Sequence, residues 1–461
     1  MTRHLHPLMA LSQLAALTWL LVACGSQTAA VQPSTTPAQT NQPQASQASA
    51  ALEIATVKVR PGTTLADLQS RYPGAQVLAL HPDEGYAQLL ASPQALAAGA
   101  VTSLSLSAQA LSLVGSEPNL KVRMGEARAY AQGNSAWANG NAAWASGNSA
   151  WAGGNNAWAG GNNAWAGGVT NTAYPLSGNT PIWNTLDLGT GQKQDLHMGQ
   201  GIFVAVLDTG ADVGHPAFKG HLLPDWGWDY VRNDALPAEE NWASGGLSKA
   251  YGHGTAVAGI ILQVAPNATI VPYRVLDPNG EGRVSDIILA INDAVGKGIK
   301  VINLSLGTDS PSAALNAAIS SAIKKGVMVV ASSGNSGDSN VTYPARASGE
   351  MQKVFGGGLI SVGSVNVGGG KSPFSTYGSS LDVLAPGEGV TTMFPGNQRT
   401  SATGTSFATP MVSGAVALAM AAGKTNLAAL TSSLKSTATS SRDQMLAGKG
   451  TLNIGKLMVS K

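Results

Sequence analysis

The chain has 461 residues, 44% hydrophobic and only 11% charged, with 56 glycines and a net charge of +2. Such a composition can bury a core in more than one domain and does not describe a chain kept unfolded by charge. The small net charge and the lack of a basic block argue against a nucleic-acid partner. The single cysteine, Cys24, excludes any disulfide within the chain.

Arg3, His4 and His6 precede an apolar run, Leu8 to Ala23, too short for a typical membrane span and shaped like a signal peptide. The run ends in "LVAC", which resembles the lipobox of bacterial lipoproteins, where the cysteine becomes the lipidated first residue. An ordinary signal peptide with an incidental cysteine is the other reading. Both predict an exported protein, extracellular or in the cell envelope; the first adds a lipid anchor at Cys24. Residues 1–23 are therefore read as the signal and 24–50, uncharged and rich in Gln, Ser, Thr, Pro and Ala, as a tether.

Over residues 51–119 the order is strand, helix, strand, strand, helix, strand. "EIATVKVRPG" runs into a Pro-Gly turn, and "TTLADLQSRYPG" has a threonine start and a Pro-Gly stop. "AQVLAL", "GYAQLLAS", "SPQALAAGA" and "ALSLVGSEPN" complete a small α+β, ferredoxin-like unit. Residues 120–133 are read as a linker. Residues 134–168 are five copies of N-x-A-W-A-x-G and hold five of the ten tryptophans. A helix would align these tryptophans, but each glycine costs it about 1 kcal/mol relative to alanine. A strand would throw successive tryptophans to opposite faces, because seven is odd. A turn-rich or flexible segment is predicted, with a Trp-lined binding surface as the alternative.

From residue 169 to 461 apolar strands alternate with helices. "GIFVAVLDTG", "ATIVPYRVL", "IKVINLSLG", "VMVVASSGN" and "LISVGSV" read as buried strands. "HGTAVAGIILQV", "VSDIILAINDAVGKG", "SAALNAAISSAIKKG" and "SFATPMVSGAVALAMAAG" read as helices. This predicts an α/β fold, a doubly wound, mostly parallel sheet with sites at the carboxyl ends of its strands.

Four polar residues stand at such positions. Asp208 ends a strand, and is a catalytic acid or a turn residue. His253, flanked by Gly252 and Gly254, opens a helix, where it could serve catalysis or simply be satisfied by a neighbour. Ser406 also opens a helix, as a nucleophile among unpaired N–H groups or as a plain N-cap. Asn335 follows a strand and a glycine, as an oxyanion donor or a turn residue.

Taken together, "VLDTG", "GHGTAVAG", "INLSLG", "ASSGN", "LDVLAPG" and "GTSFATP" closely resemble the subtilisin-like serine proteases, from about Asn184 to Leu457. The chain order Asp…His…Ser is that family's order. The resemblance implies a serine endopeptidase with Asp208, His253 and Ser406 as catalytic triad and Asn335 in the oxyanion hole. It implies that a peptide substrate lies extended between Leu304-Ser305-Leu306-Gly307 and Asn279 to Gly282, contacting Gly280 and Gly282. Leu306 and Ser332, Ser333 and Gly334 would wall the pocket for the residue before the scissile bond. Thr342 would form its floor, where many relatives have glycine, making it shallow. The unit at 51–119 is similar to the family's propeptide, an intramolecular inhibitor and folding assistant, so a zymogen cut between Glu117 and Asn184 is expected.

Two departures are visible. The family's second histidine is Ala256, and the acidic calcium ligand expected after His215-Pro216 is Ala217. The helix after His253 runs on without the calcium-binding loop, so no cofactor is expected. Calcium elsewhere, at Asp225, Asp229 or Asp234, has no ligand spacing to support it. The expected partners are polypeptide substrates and the chain's own propeptide, with the enzyme a monomer. The competing readings are an envelope-processing protease with few substrates and an inactive surface-binding protein that displays the tryptophans.

Overall fold

The computed structural model describes residues 51–101, 111–124, 176–441, 443 and 450–460. Cys24, the signal, the tether and the Trp heptads lie outside these residues.

The first unit contains β1 (Glu53–Lys58), α1 (Leu65–Arg71), β2 (Gln76–His81), β3 (Tyr86–Ala91), α2 (Pro93–Val101) and β4 (Ser112–Pro118). Its antiparallel sheet has the order β2-β3-β1-β4. Helix α1 starts where Thr64 and Asp67 cap each other: the Asp67 N–H donates to Thr64 Oγ1 at 3.2 Å and the Thr64 N–H to Asp67 Oδ2 at 2.8 Å. Ala55, Val57, Leu68, Tyr72, Leu89 and Leu96 form a small core of their own. Ile54, Leu78 and Leu90 instead join the core of the larger domain.

A short strand, β5 (Lys121–Arg123), follows. It falls inside the stretch 120–133 read as a linker, which is corrected to that extent. The larger domain opens with α3 (Thr180–Thr185) and α4 (Leu188–Gln194). Then come β6 (Phe203–Asp208), β7 (Trp228–Asp229), α5 (His253–Val264), β8 (Thr269–Arg274), β9 (Glu281–Arg283), α6 (Val284–Gly296), β10 (Val301–Leu304) and α7 (Ala313–Lys324). The series continues with β11 (Met328–Ser332), α8 (Ser348–Phe355), β12 (Leu359–Val365), β13 (Val383–Pro386), β14 (Val390–Phe394), β15 (Gln398–Ala402) and α9 (Thr405–Ala421). It closes with α10 (Leu427–Ser436), β16 (Thr439–Ser440), β17 (Gly450–Thr451) and α11 (Ile454–Val459).

The main sheet has nine strands in the order β16-β17-β13-β12-β11-β10-β6-β8-β7. Its pairings are parallel except for the β16–β17 edge. Every residue of β10 to β13 is buried, as it must be where helices cover both faces. Helices α5 and α9 are buried along almost their whole length, which explains why neither shows a polar stripe. This is the α/β sheet expected from the strand pattern. The β14–β15 hairpin was not foreseen.

Candidate active site

Asp208 is the last residue of β6 and fully buried. Its carbonyl accepts the N–H groups of Val275 and Leu276, and its own Oδ1 accepts the Thr209 N–H at 2.8 Å. Val275 and Leu276 thus hold the main chain of Asp208, while one backbone N–H, that of Thr209, reaches its carboxylate.

His253 is the first residue of α5, 1% exposed, with Nδ1 2.7 Å from Asp208 Oδ1. The glycines around it have steric causes. Gly252 has φ +88°, and a side chain there would strike the Phe394 ring at 2.4 Å. A Cβ at Gly254 would sit 2.1 Å from the Gly210 carbonyl oxygen. Only glycine lets the helix start press against the turn that carries Asp208.

Ser406 is the second residue of α9, where the N–H groups of the first turn have no intrahelical acceptor. Its hydroxyl donates to the Ser305 carbonyl at 3.2 Å. Pro410, four residues on, has no N–H for the Ser406 carbonyl. The Ser305 hydroxyl takes that role at 2.8 Å. Asn303 Nδ2 donates to Ser305 Oγ in turn, and Ser413 holds Asn303 Oδ1. The Phe407 ring lies 5.1 Å from the imidazole of His253, which joins the heads of the two helices.

Asn335 stands just past β11. Its Oδ1 accepts both the N–H and the hydroxyl of Thr405, at 2.9 and 2.8 Å. With the oxygen so anchored, the amide nitrogen is the end turned toward Gly404, two residues before Ser406. Under the oxyanion role that the resemblance implies, Asn335→Ala is expected to lower kcat by about 10²–10³-fold with little change in KM, a magnitude carried over from subtilisin. Steady-state kinetics on a peptide anilide measures it.

A cleft runs beside these residues, and a segment of the chain itself lies in it. Strand β5 pairs antiparallel with β9, Val122 opposite Gly282. Arg123 exchanges two backbone bonds with Gly307, at 2.9 and 2.8 Å, and the Met124 N–H donates to the Gly280 carbonyl at 2.9 Å. Val122 is completely buried between the two segments. The cavity next to Met124 measures about 430 Å³, with Gly307, Gly334, Asn335 and Thr342 among its lining. Thr342 wedges between Gly307 and Gly334, so a Cβ at either would strike it below 3 Å. Leu304, Leu306 and Ser333 are wholly buried, and Ser305 reaches the site through its carbonyl and its hydroxyl.

Upstream of β5 the same segment caps two helices of the larger domain. Glu117 accepts the N–H groups of Ala313 and Ala314 at the head of α7, and Asn119 exchanges two bonds with Ser285 at the head of α6.

The subtilase family pattern matches residues 199–450. The chain belongs to the subtilase family. Subtilisin BL from Lederbergia lenta is 39% identical over 267 residues, 55% of this chain and 90% of that protein. Thermitase from Thermoactinomyces vulgaris is 37% identical, over 50% of this chain and 80% of its own length. An alkaline protease from Alkalihalobacillus alcalophilus is 39% identical, and this chain covers 63% of it. Residues 199–450 are thus a subtilisin-like serine protease domain with the mostly parallel sheet described above.

Ala217 is buried and offers no oxygen from its side chain. Asp229 is committed to Arg274 at 2.8 Å and to the N–H groups of Val231 and Arg232, and Asp234 caps Leu236. Among the described residues no group of three or more His, Cys, Asp or Glu could hold a metal ion. Ala256, where the family's second histidine would stand, is buried within α5.

The amino-acid sequence did not point to Glu117, Asn119 or the hydroxyl of Ser305. Only Ser305 had a signal: a proline four residues past Ser406 predicts a carbonyl in need of another donor.

Proposed function

We propose that this subtilase is an exported serine endopeptidase made as a zymogen, cleaving polypeptides through Asp208, His253 and Ser406. The observation that carries the reading is the buried 2.7 Å contact between Asp208 and His253 at the head of one helix, with Ser406 and Asn335 gathered at the head of another. In the reaction, Ser406 Oγ attacks the substrate carbonyl and His253 takes its proton. Asp208 holds the imidazole tautomer and offsets the charge it gains. The Asn335 amide and the Ser406 N–H receive the oxyanion. His253 then protonates the leaving amine. Water, deprotonated by the same imidazole, releases the acyl group and restores the serine.

The zymogen part is supported by β5. It occupies the cleft as an extended strand bonded to Gly280 and Gly307, the contacts expected for a substrate. The unit before it is held by the caps from Glu117 and Asn119. On this reading the chain is cut past Met124 and before Asn134, and the Trp heptads stay with the protease. The cut then separates the protease from any lipid at Cys24.

One preparation tests both parts. A fluorophosphonate is expected to label Ser406, and N-terminal sequencing of the active form to begin between Gly125 and Asn134. Folded protein that takes no label would favour the inactive binding protein. Fully active enzyme that still carries Leu120 to Met124 would overturn the zymogen.

A further inference from the structure

Between β7 and α5 the chain makes a long excursion with no regular structure, and one side chain from it reaches the site. Glu239 Oε1 accepts the Thr209 hydroxyl at 3.0 Å, the Thr255 N–H at 3.1 Å and the Thr255 hydroxyl at 3.2 Å. Its Oε2 accepts the Gly252 N–H at 3.0 Å. Thr209 follows Asp208, while Gly252 and Thr255 flank His253. Thr209 closes the circuit, for its Oγ1 accepts the Gly254 N–H at 2.9 Å. The backbone of Glu239 is itself tied to the Asp208 segment: its N–H donates to the Ala211 carbonyl, and the Ala211 N–H to that of Pro237.

We infer that Glu239 is a positioning residue for catalysis, clamping the turn after Asp208 to the head of the helix that carries His253. The inference rests on the roles proposed for Asp208 and His253. The physical case is geometric. The proton transfer depends on a carboxylate and an imidazole held on separate elements, and an error near 1 Å in such a pair costs about 10²-fold. One carboxylate with four bonds across the two elements fixes their separation. No backbone donor could do this, because every group it binds is itself a donor.

Its chemistry fits a functional constraint rather than a stabilising one. Burial pushes the Glu239 carboxyl up to about 7, against the N–H groups of Gly252 and Thr255, with Asp208 adding to the rise and Thr209 opposing it. The titratable groups facing it are Asp208, His253 and Tyr251, with Glu240 next in the chain. A folded-state pKa above the unfolded one favours the fold fully only below the unfolded value, and that contribution is lost as pH rises through 7. Ionised Glu239 is therefore held at a cost to the fold.

The test compares Glu239→Gln and Thr209→Val with the parent on a short peptide anilide. Gln keeps the Oε1 acceptor but turns a donor toward Gly252. We expect kcat to fall about 10–100-fold with KM within about threefold. The acid limb of the kcat profile should move, and the loss of kcat should not follow the melting temperature across pH. The double variant should lose less than the product of the single losses, since both act through one bond. Glu239→Gln with kcat within about twofold of the parent overturns the inference. So does a loss that tracks a lowered melting temperature at every pH, or one that multiplies in the double variant. Asp208→Asn in the same assay separates this from the reading beneath it: an active Asp208→Asn overturns the triad, whereas an inactive one beside a fully active Glu239→Gln overturns only the clamp.

Discussion

Ser406→Ala is expected to lower peptide hydrolysis about 10⁶-fold, the scale known for the nucleophile of subtilisin and carried over from it, and to leave the chain uncut. This substitution removes chemistry and little else. Thr405, not Ser406, makes the cap contact with Asn335. The bond that repairs the gap left by Pro410 uses the Ser406 carbonyl, which alanine keeps. The structural loss is one hydroxyl contact, that to the Ser305 carbonyl, worth about 1 kcal/mol. The Asn335 donor and the cleft survive, so a residual rate above that in water is expected from them. Kinetics on a peptide anilide, a mass measurement of the purified chain and a thermal melt form the test. A variant that still digests casein would show that another group is the nucleophile. A variant that fails to fold would show that the hydroxyl contact carries far more than its geometry suggests.

The same residues show what the sequence makes legible. Asp208, His253, Ser406 and Asn335 stand at strand ends and helix starts, where a parallel sheet gathers its polar groups, so pattern and position agreed. The stretches 253–264, 284–298 and 312–326, expected as helices, are helical at 253–264, 284–296 and 313–324, because they are long and uninterrupted by proline. Strand β5 is different. Three residues, "KVR", cannot display an alternation, and they become a strand only because β9 and Gly307 offer unpaired backbone on both sides. Glu239 is different again. It lies in a long loop without periodicity, and its role depends on the pairing of residues 237–239 with Ala211. Both are products of tertiary structure, and no local signal could have marked them.

Arg274→Met is expected to destabilise the fold by about 3–5 kcal/mol. Arg274 ends β8, directly beside Asp208 in the sheet register, and is completely buried. Its Nη1 binds Asp229 at 2.8 Å and Glu240 at 2.9 Å, and the guanidinium lies 5.8 Å from the Trp242 ring centre. Methionine fills much of the same volume but leaves the Asp229 carboxylate buried without a counter-charge. Glu240 keeps Arg232. Measured in the Ser406→Ala background, where self-digestion is silent, the melting temperature should fall by roughly 5–15 °C. The arginine's Nε and Nη2 are buried with no hydrogen-bond partner among the described residues, so the cluster is an imperfect one, and buried pairs of that kind cost nearly what they return. Adding Asp229→Asn should therefore recover more than half of the loss. The amide keeps an acceptor for Val231 and Arg232 while removing the stranded charge. If the double variant melts no higher than Arg274→Met, the loss comes from packing around β8 and not from the unpaired carboxylate.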